Sequence, residues 1–343
     1  MSENIIKLVI AGEEFKFWSS VEIMRNIDTF DTFSFQAPFG DGSAIKDLIK
    51  PLQFKSGQLF IDDELLSTIT IVNVTPSLTA DNRSISVSGY AKPGVMNDCS
   101  VAYSEYPLEF ADQTLEQIAA KLAGFYEVGT KFFEQSGIPF EKVKLEIGQS
   151  PFNFLIKLAK LRGFLISNTP GSDLLFWGTA KAVSTTLKQG HTPLLSVTPS
   201  IDPQGYYSEI TGLSPGKLGI EVEFEKVTIK NKNLSAYRPF AFKVDQQLSG
   251  ADLQRAVRWK MGLMFANSIK YTVSVVGLRD ERGDIWKPNT YIDLTAPDVF
   301  INRETRFIIQ SSTLAKSDSE ITVLNLVLPE SYSFEIPKRM PWE

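Results

Sequence analysis

Near both ends of this chain, apolar and polar residues alternate with a period of two, which is the pattern of a half-buried β-strand. Ile6, Leu8 and Ile10 carry this alternation at the start, and strand-like segments return from about residue 205. In the first hundred residues the segments are short and are separated by turn residues such as Asp81-Asn82-Arg83. Several short strands at this spacing favour a small β-barrel or sandwich.

The middle of the chain changes to helical signals. Thr114 and Gln117 form a capping box, in which each side chain can bond the other residue's backbone amide at a helix start. Ser150-Pro151 predicts a second helix start, and Gly163 can end that helix in left-handed geometry. A hairpin across Pro170-Gly171-Ser172 is expected to follow. This region is predicted to be an α+β insert.

The two β-rich ends share a layout. Pro51 and Asp81 flank strands in the first part, and their counterparts Pro288 and Asp318 each lie 237 residues further along the chain. A plan that recurs at a constant offset predicts two copies of one barrel-like unit. Chance is the alternative, since any two antiparallel meanders share some turn residues.

These patterns predict a mixed, β-rich α+β fold of two antiparallel β-barrel domains with an α+β insert. A length of 343 residues agrees with two or three domains. The predicted boundaries are residues 1–100 for the first barrel, 101–204 for the insert and 205–343 for the second barrel. One helix is predicted inside the second barrel, over residues 249–267.

Composition restricts the function. Lys and Arg number 35 and Asp and Glu number 40, and the net charge of −5 disfavours tight binding of duplex DNA on a basic face. The one cysteine, Cys99, excludes an internal disulfide framework and metal sites built on several thiolates. No run approaches the 18 apolar residues of a membrane span, and no signal peptide is visible, so we expect folding in a reducing cytoplasm without a membrane anchor.

No catalytic constellation stands out. The one histidine, His191, is interpreted as a surface or turn residue, and Cys99 as a small, partly buried structural thiol, with a thiol hydrolase as the alternative. Gly212–Leu218 has the wrong glycine spacing for a phosphate loop and predicts a turn. Asp62–Glu64 predicts a hairpin tip instead of a cation site. We therefore predict no enzyme activity and no cofactor or metal, although a carboxylate pair for glycoside cleavage stays open among the 40 acids.

Glu221, Glu223 and Glu225 give the most regular charge pattern, since they alternate with apolar residues. One interpretation is a solvated strand face. The other is an acidic channel wall past which DNA slides without sticking, because such a wall neutralises no phosphates. Arg255 and Arg258 lie off the apolar stripe of their helix and are interpreted as subunit contacts or solvated charges.

Four motifs, in a particular order and spacing, resemble a known family. They comprise the opening strands, a glycine-containing strand followed by Asp-Cys-Ser, and two helix starts: Trp18–Asp28 with Phe33–Phe35, Val87–Lys92 with Asn97–Ser100, Phe110–Ala120, and Gly148–Gly163. The chain resembles the baseplate hub proteins of contractile phage tails, especially those of Mu-like phages. Phage late-control D proteins and the hub part of type VI secretion spikes belong to the same wider group. Tyr90-Ala91 departs from the Arg-Ser that is common in this family.

This resemblance implies a structural protein of the virion tail baseplate, assembled in the bacterial host cytoplasm. Its two barrels would be tube-like, and three chains would form a homotrimeric, pseudo-hexameric ring. Such a ring would join the hexameric tail tube, or a distal tube protein, to the trimeric central spike and would leave a channel for DNA during genome ejection. Other baseplate proteins would be further partners.

Three alternatives stay open. The chain can be the hub of a tailocin or of a type VI-like secretion spike, which the sequence does not distinguish from a phage tail. It can also be a cell-wall hydrolase or carbohydrate-binding protein built of sandwiches. An oligonucleotide-binding barrel is disfavoured by the net negative charge.

Overall fold

A computed structural model describes residues 4–40, 48–135, 137–178, 182–215, 225–244, 248, 250–333, 335–337 and 339–343. At residues 183 and 184 only the backbone is described.

The described chain is built mainly of strands, with five helices. The strands before the insert are β1 (Ile6–Ile10), β2 (Glu13–Phe15), β3 (Ser20–Asn26), β4 (Thr32–Pro38), β5 (Ser56–Ile61), β6 (Glu64–Leu78) and β7 (Arg83–Ala91). Those that follow, as far as residue 201, are β8 (Leu108–Gln113), β9 (Thr130–Phe132), β10 (Phe140–Leu145), β11 (Leu165–Asn168), β12 (Leu174–Trp177), β13 (Val183–Lys188) and β14 (Leu194–Ile201). The remaining strands are β15 (Glu209–Ser214), β16 (Glu225–Lys230), β17 (Pro239–Lys243), β18 (Ile269–Val276), β19 (Tyr291–Ala296), β20 (Ile301–Lys316) and β21 (Glu320–Val327). The helices are α1 (Val95–Asp98), α2 (Leu115–Gly124), α3 (Pro151–Arg162), α4 (Gly250–Ser268) and α5 (Glu330–Ser333).

Thirteen of the described strands form one large sheet. Its main path runs β14-β18-β21-β20-β3-β4-β7-β6-β5-β1-β2, and β13 and β19 branch from β20. Its strand pairs are antiparallel except β13 with β19. The predicted β-rich α+β class is therefore confirmed. Among the described strands this sheet is open and does not divide into two closed barrels, because β20 pairs with β19 over its first half and with β3 over its second.

The insert folds around its own core, and its predicted start and stop signals are confirmed. Thr114 and Gln117 form both hydrogen bonds of the capping box at the start of α2. Ser150 caps α3, and Gly163 ends it at a φ of 77°. The predicted hairpin is present as β11 and β12. Local sequence signals therefore fix the elements of this region.

Helix α4 packs against a separate sheet of β15, β16 and β17, and it lies where a helix over residues 249–267 was predicted. On β15, a Cβ added to Gly212 would come within 2.3 Å of Val257 Cγ2, so glycine lets the helix approach the sheet closely. The prediction of a turn over Gly212–Leu218 is wrong at Gly212, which belongs to a strand that packs under a helix. Residues 216–218 of the predicted turn lie outside the described residues.

The division into residues 1–100, 101–204 and 205–343 stays a prediction. Strands β13 and β14, which that division assigns to the insert, pair with β19 and β18 in the large sheet.

Candidate assembly site

The large sheet contains two units with the same chain path. In the first unit the strand order is β3-β4-β7-β6-β5, and in the second it is β14-β18-β21-β20-β19. Helix α4 and its small sheet are inserted between β14 and β18, where the first unit runs directly from β3 to β4. The layout shared by the two ends of the sequence thus corresponds to a shared strand order.

A β-bulge occurs at the same place in both units. In the first, Ile71 and Asn73 oppose Gly89 and Ser88, so that residue 72 is extra. In the second, Ile309 and Ser311 oppose Leu326 and Asn325, and residue 310 is extra. A Cβ on Gly89 would lie 2.0 Å from the Thr70 carbonyl oxygen, so this bulge requires glycine in the first unit.

The two units meet at a junction between β3 and β20, which we call the internal junction. It is antiparallel, with Ile23 opposite Leu314, and the Ile27 amide continues it by donating to the Gln310 carbonyl at 2.9 Å. Val21, Ile23 and Leu314 are buried at this junction. The sheet therefore runs without interruption from one unit to the other.

Arg279 provides a second contact between the units. Its guanidinium donates to Asp62 at 3.1 Å and to Glu64 at 3.2 Å, both at the tip of the β5–β6 hairpin, and to Asn4 Oδ1 at 3.1 Å. Asn4 in turn donates to the Glu320 carboxylate of the second unit. The prediction of a hairpin tip at residues 62–64 is confirmed, and its acids serve to hold the two units together.

The insert docks on the first unit through a buried polar network. Asn168 accepts from the Asp31 amide at 2.7 Å and donates to Asp31 Oδ2 at 3.2 Å. Arg25 Nε lies 3.6 Å from the same carboxylate. Burial raises the pKa of Asp31, and the positive charge of Arg25 opposes that shift. Nearby, Trp177 Nε1 donates to the Ile27 carbonyl at 2.9 Å.

The insert also contacts the second unit's helix. Arg162, at the end of α3, lies 2.7 Å from Asp252 on α4, and both side chains are buried. The Arg162 guanidinium also stacks 4.1 Å above the Phe140 ring. The insert is thereby fixed to both units.

Several strand edges have no strand partner in the described part of the chain, and two of them lie in the duplicated units. Strand β14 pairs only with β18, and all of its side chains are at least partly exposed. Residues 73–78 of β6 pair only with β7, and Leu78 at their end is 75% exposed. Open edges of this kind are sites for adding a strand from another chain.

The structure does not bring the sequence-predicted site residues together. Glu221 and Glu223 lie outside the described residues, and Glu225 is exposed at the start of β16. His191 is exposed in a turn, as predicted. Cys99 is exposed, so the prediction of a partly buried thiol is wrong, because the thiol follows a short surface helix.

The predicted surface arginines of α4 are exposed. Arg255 lies 3.6 Å from Asp252 with a 43% exposed side chain, and Arg258 is also exposed. Within the described residues, no three His, Cys, Asp or Glu side chains are arranged to hold a metal ion. None of the described helices has the length and apolarity needed to cross a bilayer.

The residues that carry the internal junction and the Arg279 contact were not found by sequence reasoning. Val21 and Ile23 are predicted only as part of the opening strands, and no sequence pattern indicates Arg279. No local pattern names the strand that will lie beside them. The layout that recurs at a constant offset in the sequence was the one available signal that the chain contains two similar units.

Comparison of structures defines the fold class. The 43 kDa tail protein of prophage MuSo2 from Shewanella oneidensis has a TM-score of 0.84 to this chain at 22% identity, covering 96% of this chain and 99% of that one. The Escherichia coli c3393 protein, a component of the type VI secretion system, has a TM-score of 0.61 at 11% identity, covering 94% and 76%. The chain has the fold of phage-tail and secretion-spike proteins.

Comparison of sequences is more specific. Residues 93–178 match the family described as baseplate hub protein gp44-like, second domain. Baseplate hub protein gp44 of Escherichia phage Mu is 23% identical over 347 residues, which cover 97% of this chain and 90% of the Mu protein. The predicted resemblance to phage-tail baseplate hub proteins is confirmed.

Proposed function

We propose that this protein is the central hub of a phage-type baseplate and acts as a homotrimeric, pseudo-hexameric ring. The observation that carries the proposal is the duplicated strand order within one chain. Three chains with two similar units each present six similar units, and such a ring can seat against a six-fold tube on one side and a three-fold spike on the other. Each open sheet would be completed by its neighbour in the ring.

The proposed partners are the tail tube or a distal tube protein, the central spike protein and other baseplate proteins. DNA would pass through the channel without specific binding during ejection. The likeness to a type VI secretion component supports a related hub in a tailocin or secretion spike as the second candidate. The proposed role is structural and requires no catalytic group, cofactor or metal.

Within this ring, the two units would form the tube-like walls around the channel. The part of the insert that has its own core, between α1 and β12, would lie outside and contact neighbouring baseplate proteins, since it docks on both units. Glu221, Glu223 and Glu225 are proposed as acidic residues lining the channel.

The mass of the purified particle in solution tests this proposal. We expect three chains of 38.3 kDa each, and a low-resolution image with six lobes around a central opening. A particle that stays monomeric across the concentration range at which close relatives assemble would contradict the ring. Neighbouring genes encoding tail sheath and capsid proteins, as opposed to secretion components alone, would separate the phage hub from the second candidate.

A further inference from the structure

We infer that one protomer binds the next by placing its β14 edge against residues 73–78 of β6 in the neighbouring chain, in the register of the internal junction. This inference rests on the proposed ring and names the two edges and the residue pairs that close it. The occupant of each edge is a second copy of this chain. The contact is head-to-tail, since two different edges meet, and such contacts generate rings when the rotation closes.

The shared strand order identifies which edges correspond. Strand β14 lies beside β18 as β3 lies beside β4, and β6 lies beside β7 as β20 lies beside β21. The internal junction joins β3 of the first unit to β20 of the second. The equivalent junction from the second unit back to a first unit would join β14 to β6, and neither of these two edges has a strand partner in the described structure.

The matching bulges fix the register. Asn73 and Ser311 are each the first paired residue after the bulge, so they correspond. Val21 and Val197 occupy equivalent places, because the row of cross-strand partners that starts at each one ends at the residue directly after this first paired residue. The rows are Val21-Phe35-Val87-Val74 and Val197-Val273-Leu324-Ser312. Since Lys316 opposes Val21 in the internal junction, Leu78 opposes Val197 in the intermolecular one.

This register produces pairs that match in polarity along both faces. The apolar pairs are Val74 with Ile201, Pro76 with Pro199, and Leu78 with Val197. The polar pairs are Asn73 with Asp202, Thr75 with Ser200, and Ser77 with Thr198. Val74 and Val197 already pack against the main core, so the apolar row lies on the core side of both edges. A shift of one residue would place apolar side chains against polar ones throughout.

Side chains are buried at the internal junction and exposed at the two open edges, as expected if a second copy covers those edges. Val21 and Leu314 are 4% and 0% exposed where β3 meets β20. At the open edges, Ile201 is 43% exposed and Leu78 75% exposed. In this register they hold the places that Arg25 and Lys316 hold in the internal junction. Both apolar side chains are uncovered, and a second copy would cover them.

Two prolines occupy the centre of the intermolecular junction. The Asp202 amide donates inward to Ser268 beside β18, so by alternation the nitrogen of Pro199 faces outward. The Ala91 amide donates to Asp31 on the β4 side. Ile85 lies an even number of residues from Ala91, so its backbone groups also point to β4 and do not bond to Pro76. The nitrogen of Pro76 therefore also faces the open edge.

The prolines make the intermolecular junction weaker than the internal one. Neither proline carries an amide hydrogen, so the central pair cannot exchange backbone hydrogen bonds, while the pairs on either side can. Ile23 and Leu314 hold the same positions in the internal junction and can exchange them. Prolines on open edges also hinder indiscriminate strand addition before assembly.

A pair of engineered cysteines tests the register. In a Cys99→Ser background, Thr75→Cys is combined with Ser200→Cys, which the inference places opposite each other in a pair without mutual amide bonds, about 4.5 Å apart at Cα. That distance suits a disulfide. We expect mild oxidation of the purified protein to give covalently linked trimers on a non-reducing gel. The control combines Thr75→Cys with Ser196→Cys, four residues out of register, and should remain uncross-linked.

The outcomes separate the inference from the proposed function. A trimer in solution that fails to cross-link, or cross-links as well with the control pair, overturns the edge and register assignment and leaves the ring proposal standing. A monomer under all conditions overturns both. A cross-linked ladder beyond three chains supports the register and contradicts a closed trimer.

The role of the prolines is tested by copying the internal junction. The double variant Pro76→Leu with Pro199→Ile restores two amide donors at the central pair. We expect the concentration at which the trimer dissociates to fall about tenfold or more, in keeping with restored backbone hydrogen bonds. An unchanged dissociation concentration contradicts this role. Gln53→Leu, at an exposed position outside both strands, serves as the control.

Discussion

At the scale of single residues, the most constrained group is the buried carboxyl of Asp31. Asn168 donates to this carboxyl and accepts from the Asp31 backbone amide, and Arg25 Nε lies 3.6 Å from the carboxyl. Removing a carboxylate from water disfavours its ionised form, and a single nearby guanidinium compensates in part. Asp31 therefore fixes where the insert sits on the sheet and makes that contact sensitive to pH.

We expect Asp31→Asn to become progressively more stable, relative to the unchanged protein, as pH rises from about 4 to about 7. The pKa of Asp31 in the folded protein lies above its ordinary value of 3.8, so the folded state binds the proton more tightly than the unfolded state. Its stabilising contribution is complete below the unfolded value and is lost as pH rises through the folded value. Asparagine cannot ionise and still accepts from Asn168.

Urea unfolding across this pH range measures the effect. Glu22→Gln, an acid-to-amide change on the exposed face of β3, is the matched control and should leave the free energy of unfolding nearly unchanged. Parallel curves for Asp31→Asn and the unchanged protein would contradict the prediction. So would a loss of stability in Asp31→Asn that grows as pH rises, which would show that the ion pair with Arg25 outweighs the cost of burial.

At the scale of elements, the insert shows how local signals set helix ends. Helix α3 ends where the chain turns left-handed at Gly163, and the Phe164 amide then donates to the Ala159 carbonyl at 2.9 Å. This arrangement satisfies a carbonyl that the helix leaves without a partner. It also directs the chain into β11, which carries Asn168 to the sheet.

We expect Gly163→Ala to lower the free energy of unfolding by about 1 kcal/mol, because alanine is strained at a φ of 77°. Gly124→Ala is the matched control. Gly124 is the last residue of α2, and an added Cβ there meets no atom within 4 Å. Alanine should stabilise that helix by at most about 1 kcal/mol. Equal effects of the two variants in thermal or urea unfolding would contradict the assignment of Gly163 as a left-handed cap.

At the scale of the whole molecule, the second unit differs from the first by one large insertion. Helix α4 and its sheet leave the second unit between β14 and β18 and contact the insert through Asp252 and Arg162. The insert, α4 and the first unit thus support one another around the internal junction. Under the proposed function, the hub would transmit force between tube and spike, and these contacts would hold its parts together under that force.

We expect Arg162→Met to reduce the free energy of unfolding by about 3 kcal/mol, because it removes the ion partner that lies 2.7 Å from the buried Asp252 carboxylate. The double variant Arg162→Met with Asp252→Leu should lose less than the single change, since no uncompensated charge remains. Arg255→Ala is the control and should cost less than about 1 kcal/mol, as an exposed ion pair does. A double-mutant cycle in urea measures the coupling, and additive effects would show that the two residues do not act as a pair.

The sequence by itself determined the features that depend on neighbours along the chain. The capping box of Thr114, the start at Ser150 and the end at Gly163 could all be predicted, because each rests on hydrogen bonds or backbone angles within a few residues. The alternation of apolar residues predicted the strands, and the constant offset of 237 residues predicted two similar units. The turn predicted at Gly212 is wrong, because this position is glycine to let Val257 of α4, more than forty residues away in sequence, pack closely against the strand.

Only the tertiary structure decided which strands lie side by side. The alternation of apolar residues predicts that Val21 and Ile23 face a core. It does not predict that β20, nearly three hundred residues later, will pair with the edge of their strand. The same holds for Arg279 beside Asp62, and for the open edges at β6 and β14. Backbone hydrogen bonding between strands is nearly independent of side-chain identity, so the choice of partner depends on how the whole chain packs.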